Sequence, residues 1–240
     1  MPPVITNLIR LLLDEIISPF IRDLKIFMYP LYFIWFRGNK KNINTVMDFK
    51  NAVFSMSRED LRTVYGRYRN LGSTRATDAF PEDYKWVLAR VDQSSRTLLD
   101  VGCGNGFWLE HVSRNADMIA INLFGMDIGE TSNLGNYTCG EIETLPFADK
   151  SFDVVTCFFV LEHIKDLHQA LGELKRIARR QLFLAVPCQR YYKYTFDLHV
   201  HFFYSPEYFK SMVGLNNSES QLVGIGSTGH ILYYANMEQI

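Results

Sequence analysis

The sequence predicts an α/β chain: a doubly wound, mostly parallel seven-stranded sheet with an antiparallel C-terminal hairpin, preceded by a helical appendage. Three observations predict it. From Thr97 onward, short apolar runs with the strand period alternate with helical patterns, as strands joined by crossover helices do. Near the end, "SQLVGIG" and "HILYYANM" stand only Ser-Thr-Gly apart, too close for a crossover, so they must pair as a hairpin. Residues 1–56 follow neither rhythm, which divides the chain into an apolar N-terminal segment, 1–56, and a main domain, 57–240.

The bulk numbers narrow the function classes. A chain of 240 residues, 48% hydrophobic and 21% charged, can bury a sizeable core. A net charge of -1 gives no general electrostatic reason to bind nucleic acid, so small-molecule chemistry is the expectation. Cys103, Cys139, Cys157 and Cys188 are far apart and form no C-x-x-C pair, which suits reduced cytoplasmic thiols better than a disulfide frame or a zinc site.

In the N-terminal segment, "ITNLIRLLLDEIISPFIRDL" has helical periodicity, with Leu8, Leu12, Ile16 and Leu24 near one face. Leu8–Ile17 is apolar enough for a secretory core, but Asp14 and Glu15 interrupt it and no small-residue cleavage site follows. "IFMYPLYFIWF", Ile26–Phe36, carries no charge, yet it is short for a membrane span and has Pro30 in its middle. Two readings stand for it: a cap or dimer contact on the main domain, or an interfacial anchor over residues 20–41. Arg22 and Lys25 before it, and Arg37, Lys40 and Lys41 after it, suit anionic headgroups and a peripheral position on a membrane.

"SREDLRTVYGRYRNL" starts a helix with Ser57 as cap and Asp60 three residues on, and "PEDYKWVLARV" starts another with proline in its first turn. Arg62, Arg67, Arg69 and Arg75 make this stretch basic, the usual mark of a solvated face. The main domain then reads "TLLDVG" (strand), "GFWLEHVSRNA" (helix), "LFGMDIG" and "NYTCGE" (strands), and "FDVVTCFF" (a fourth strand). "EHIKDLHQALGELKRIARR" follows as a long helix ending in cations that suit its dipole, then "QLFLAVP" (a fifth strand), "PEYFKSMV" (helix) and the hairpin.

Gly102, Gly104 and Gly106 alternate just after the first strand, so a ligand can approach a bare main chain. Dinucleotide sites use this device as G-x-G-x-x-G, whereas the spacing here is G-x-G-x-G. Asp100, before the first glycine, disfavours a pyrophosphate and favours a ligand with an ammonium or sulfonium. Asp127, ending the second strand, can accept both hydroxyls of a ribose, a feature of nicotinamide and S-adenosyl cofactors alike.

"DVGCGNG", "LPFADKSFD" and "LEH" occur in order and at matching spacing between Thr97 and Pro187, and with them the chain resembles the class I S-adenosylmethionine-dependent methyltransferases. The resemblance implies a Rossmann-like fold and S-adenosyl-L-methionine as cofactor, with S-adenosyl-L-homocysteine as product. It implies that Gly102, Gly104 and Gly106 pass beneath the methionine part and that Asp100 orients the amino group. Asp127 would hold the ribose and Ile128 lie against adenine, while Glu141 and Ile142 meet the adenine amino group and ring. Phe158 would offer its carbonyl to the methionine ammonium. The family usually fits a helix between positions matching Asp127 and Gly140, which "IGETSNLGNYTC" must shorten or lose.

An oxygen acceptor needs a base, and the connection "CQRYYKYTFDLHVHFFYS" supplies candidates. Asp197, His199 and His201 alternate and would share one side of an extended segment, and His163 lies in the Leu-Glu-His turn. That trio has no fourth ligand nearby, so no metal is expected. The expected acceptor is a small molecule, a sugar or a lipid-linked glycan, because His-x-His followed by aromatics resembles methyltransferases of surface-polysaccharide and O-antigen pathways. A quinone or other prenyl lipid is the alternative among enzymes, and a non-catalytic cofactor-binding assembly protein the alternative outside them. No Asn-Pro-Pro-Tyr-type motif follows the fourth strand, which argues against a nucleic-acid substrate.

Overall fold

The computed structural model describes residues 9, 11–68, 77–115, 120–129, 135–224 and 228–239. Seven strands form one sheet in the order β3-β2-β1-β4-β5-β7-β6: β1 Thr97–Val101, β2 Asn122–Asp127, β3 Tyr137–Cys139, β4 Phe152–Phe158, β5 Ala178–Pro187, β6 Ser218–Val223 and β7 His230–Asn236. β1 to β5 pair in parallel, and β7 runs antiparallel between β5 and β6, so the hairpin expected at the end is present. β1, β4 and most of β5 are buried on both faces, which explains their unbroken apolar runs.

Helices cover both faces. In chain order they are α1 Pro19–Arg22, α2 Lys25–Trp35, α3 Lys40–Ala52, α4 Arg58–Tyr68, α5 Pro81–Leu88, α6 Phe107–Ser113, α7 Leu167–Ile177 and α8 Pro206–Val213. Leu167, Leu171, Leu174, Phe209 and Val213 pack with Val155 and Leu184 on one face of the sheet. Tyr84, Val87, Trp108 and Val112 pack with Leu98, Val154 and Phe183 on the other.

A third cluster joins Met28, Tyr32, Ile43, Val46, Met47 and Phe49 of α2 and α3 to Tyr194 and Leu198 of the connection after β5. Four polar contacts fasten it across the chain. Arg22 donates to the Tyr194 carbonyl, Tyr32 to that of Thr195 and Lys50 to that of Tyr192, while the Tyr192 hydroxyl donates to the Asp14 carbonyl. Pro30 sits inside α2 without ending it.

Some expectations need correction. The long helix drawn from Glu162 to Arg180 is a 3-10 turn, Leu161–His163, then α7, capped by Asp166 accepting from the Gln169 N–H at 3.0 Å. Arg179 and Arg180 belong to β5, where Arg179 pairs with the buried Asp153 and Arg180 with Asp92 and Glu238. Leu12, Ile16 and Leu24 are exposed, Leu8 lies outside the described residues, and the buried apolar side chain among the described residues of that stretch is Leu13, with Asp14 and Arg22 buried beside it. Arg69, Arg75, residues 130–134 of the segment expected to hold a shortened helix, and residues 225–227 of the hairpin lie outside the described residues. No described helix is long and apolar enough to cross a membrane.

Candidate active site

Strand order reverses between β1 and β4, and a cleft of about 1180 Å³ opens there, at the carboxyl ends of the strands. Its floor is the loop after β1. The Gly102 and Cys103 N–H groups both donate to the Met126 carbonyl, at 2.7 and 3.0 Å, folding the loop back over β2. Gly102, Gly104 and Gly106 have φ of +79°, +53° and +76°, the left-handed region that favours glycine. A Cβ on Gly102 would stand 2.1 Å from Cγ2 of Val160, so this glycine makes room for the cleft wall as well as for a ligand.

Two carboxylates flank the loop. Asp100 is buried, with Oδ1 accepting from the Thr156 hydroxyl at 2.7 Å, and burial pushes its carboxyl up to about 7. Asp127 accepts from the Gly104 N–H at 2.9 Å on one oxygen and from the Gly129 N–H at 3.0 Å on the other. Each oxygen keeps a second lone pair, which two ribose hydroxyls can use. The donor set and the bare backbone therefore fit an S-adenosyl group.

Ile128 is exposed on the cleft floor, while Ile142 is mostly drawn into the core beside Met126. Glu141 faces Arg62 of α4 at 4.0 Å across the cleft. Phe158 packs on Trp108, ring centroids 5.4 Å apart. The next residue, Phe159, has φ of +59°, strained for a bulky side chain, and its N–H donates to the Ala185 carbonyl at 2.8 Å.

The roof comes from α2, α3, α4 and the connection after β5: Trp35, Phe36, Val46, Leu61, Tyr65, Phe196 and Leu198. Two imidazoles meet here, the rings of His163 and His199 lying edge to face with centroids 4.9 Å apart. The His163 Nδ1 lies 3.2 Å from the Leu198 carbonyl, which can only accept, so Nδ1 carries the proton. His199 is fixed similarly. Gln189 donates its amide to Asp197 Oδ2 at 3.3 Å, which turns its Oε1 to His199 Nδ1 at 2.8 Å. In the neutral rings both Nε2 atoms keep their lone pairs. Burial lowers the His163 pKa, which keeps that ring neutral.

Of the predicted candidates, His163, Asp197 and His199 line the cleft and His201 does not. The connection is not a regular strand at this point: the Val200 and His201 N–H groups both donate to the Glu162 carbonyl, at 2.6 and 3.0 Å, which ends the alternation. Burial also lowers the His201 pKa. Sequence reasoning missed three residues. Gln189 orients His199; Tyr65 donates from α4 to the carbonyls of His163 and Leu198, at 3.0 and 3.3 Å. Glu162 is the third, a carboxyl raised well above its usual range by burial, with Oε2 buried without a hydrogen bond. Its place beside His163 in the Leu-Glu-His turn was the signal available for it, whereas nothing local marks Gln189 or Tyr65. One ligating atom each from Glu162, His163 and His199 lie within 4.8 Å of one another, a donor set that suits a divalent cation.

Residues 99–186 match the methyltransferase-domain family. The demethylmenaquinone methyltransferase of Thermobifida fusca is 32% identical over 141 residues, which is 55% of this chain and 51% of that protein. The ubiquinone biosynthesis O-methyltransferase of Coxiella burnetii is 28% identical over 99 residues, 36% of this chain and 40% of its own length. The chain thus matches about half or less of the length of these relatives. A SAM-dependent methyltransferase from Aquifex aeolicus superposes with a TM-score of 0.53 at 18% identity, over 72% of this chain and 97% of that one, a likeness of fold. Residues 99–186 thus carry the methyltransferase-domain pattern, and the sheet from β1 to β7 built around them has the fold of S-adenosylmethionine-dependent methyltransferases, whose cofactor the glycine loop and Asp127 fit.

Proposed function

We propose that the chain transfers a methyl group to a hydroxyl oxygen of a small or lipid-linked acceptor, with His199 as general base. One observation carries this: a single cleft joins the glycine loop and Asp127 to the imidazole that Gln189 and Asp197 orient. Bound S-adenosylmethionine supplies an electrophilic methyl group on a sulfonium. The roof side chains hold the acceptor in line with it, and alignment accounts for much of the acceleration in such displacements. His199 Nε2 takes the hydroxyl proton, and Asp197, 3.6 Å from Nδ1, stabilises the imidazolium. His163, neutral and edge-on to the His199 ring, lines the same wall.

The apolar and aromatic roof favours a second, narrower reading, a quinone-type ring with a prenyl tail. Trp35, Phe36, Leu61 and Phe196 offer flat contacts to a ring but few partners for sugar hydroxyls. The similarity to the Thermobifida demethylmenaquinone methyltransferase and the Coxiella ubiquinone biosynthesis O-methyltransferase supports the same reading. The test supplies methyl-labelled S-adenosylmethionine and an extract of the source cells, then separates organic, aqueous, protein and nucleic-acid fractions. Organic-soluble label that disappears with His199→Ala is expected. Aqueous label would point to a free polar acceptor, and cofactor binding with no label anywhere to a non-catalytic role.

A further inference from the structure

Among the described residues, fifteen large hydrophobic side chains are exposed, and nine of them lie between Leu12 and Ile34. Ile16, Phe20, Ile26 and Ile34 are 68%, 76%, 83% and 64% exposed. α2 is the centre of this patch. Its inward side is complete, with Met28 and Tyr32 fully buried against α3 and the roof connection. Its outward side, Ile26, Tyr29, Phe33 and Ile34, is as apolar as the inward one, and water is a poor solvent for a helix hydrophobic all round. At 11 residues, α2 is too short to span a bilayer but suited to lie along one.

The charges around this face point to its partner. Lys25, Arg37, Lys40 and Lys41 are exposed at the two ends of α2, and none forms an ion pair with a described residue. The acids nearby are mostly engaged: Asp14 pairs with Arg22 at 3.4 Å in the interior, and Asp23 accepts from the Lys193 N–H at 2.6 Å. Glu15, which is engaged too, and Asp48 on α3 are exposed. Arg22 is itself buried, so it is not one of the cations that face a headgroup.

We propose that the outward face of residues 12–41 docks in the interfacial layer of an anionic lipid bilayer. Apolar side chains then insert below the headgroups while the flanking lysines and Arg37 meet phosphates. The same helix carries Trp35, and Phe36 follows it; both line the cleft. Docking therefore brings the cleft wall to the membrane, where an acceptor with an apolar tail can enter without crossing water. The docking face is built from side chains outside the cleft, so a chain that ignores vesicles can still transfer a methyl group.

The test is co-sedimentation of the purified full chain with phosphatidylcholine vesicles, with and without phosphatidylglycerol, at low and high salt. Binding that needs the anionic lipid and weakens with salt is expected. Ile26→Glu with Ile34→Glu should reduce partitioning by about tenfold or more, with cofactor affinity unchanged as a check on folding. Lys40→Glu with Lys41→Glu should weaken binding to the anionic vesicles alone. Light scattering without lipid covers the competing occupant, a second copy of the chain. A stable dimer that hides the face from vesicles would overturn the proposal, as would a folded monomer that ignores both vesicle types.

Discussion

Asp100 should make cofactor binding pH-dependent. Its carboxyl is raised from an ordinary 3.8 to about 7 by burial, while an ammonium ligand needs the ionised form. Affinity should fall as pH drops below about 7, by up to about tenfold per unit, and Asp100→Asn should remove the dependence in a calorimetric titration. The same shift acts oppositely on folding. Between about pH 4 and 7 the folded chain holds a proton that the unfolded chain releases, so this contribution is complete below that range and lost as pH rises through about 7. Asp127→Ala should weaken cofactor binding by about 1 to 3 kcal/mol, read by the same titration, because it removes the carboxylate proposed to accept the ribose and frees the Gly104 and Gly129 N–H groups. His199→Ala should leave cofactor affinity intact but lower kcat by about a hundredfold or more, whereas His201→Ala, away from the cleft, should leave turnover unchanged in the same assay. The glycine-loop end of the cleft was legible in the sequence because its residues sit within one short loop and at strand ends. The roof was only half legible. The partner of His199 is Gln189, ten positions upstream and brought back by the fold of the connection, and Tyr65 arrives from another helix altogether.

Among the elements, the strands were read well because burial on both faces leaves unbroken apolar runs of strand length. α7 was drawn too long because arginines at 179 and 180 are good helix formers, and only their pairing with Asp153, Asp92 and Glu238 moves them into β5. α3 was not anticipated. Its apolar residues Ile43, Val46, Met47 and Phe49 are scattered among Asn and Lys, and they acquire a buried face only against α2 and the roof connection. The tie between these elements can be broken at one point. Arg22→Met would take away a cation 3.4 Å from the buried Asp14, at a cost of up to about 3 kcal/mol, and would loosen α1 and α2 from Tyr194. Denaturant unfolding should register the loss, and adding Asp14→Asn should recover a good part of it.

Viewed whole, the molecule has one cleft wall made from each part of the chain: the N-terminal helices, the sheet and the connection after β5. A thiol reagent offers a global check. Cys139 is the exposed cysteine and lines the cleft, whereas Cys103, Cys157 and Cys188 are buried. Cys139 should label fastest in the native chain, and saturating cofactor should slow that labelling, as mass spectrometry of peptides would record. The general plan of this architecture follows from alternation and glycine spacing. The cap does not, because what closes it is a set of contacts between residues 142 to 178 positions apart.

Those separations also set a schedule for synthesis. The apolar helices α1 to α3 leave the ribosome well before the carbonyls of Tyr192, Tyr194 and Thr195 that fasten them. At about 5 to 20 residues per second, the wait is roughly 7 to 36 s for partners 142 to 178 residues downstream. Throughout that interval Met28, Tyr32 and Phe49 can pack between α2 and α3 but lack Tyr194 and Leu198 of the roof connection, so the inward side of the pair stays partly open while its outward side is exposed. A chaperone or a nearby bilayer is then the available shelter, and the yield of folded protein should depend on which of the two the expressing cell provides.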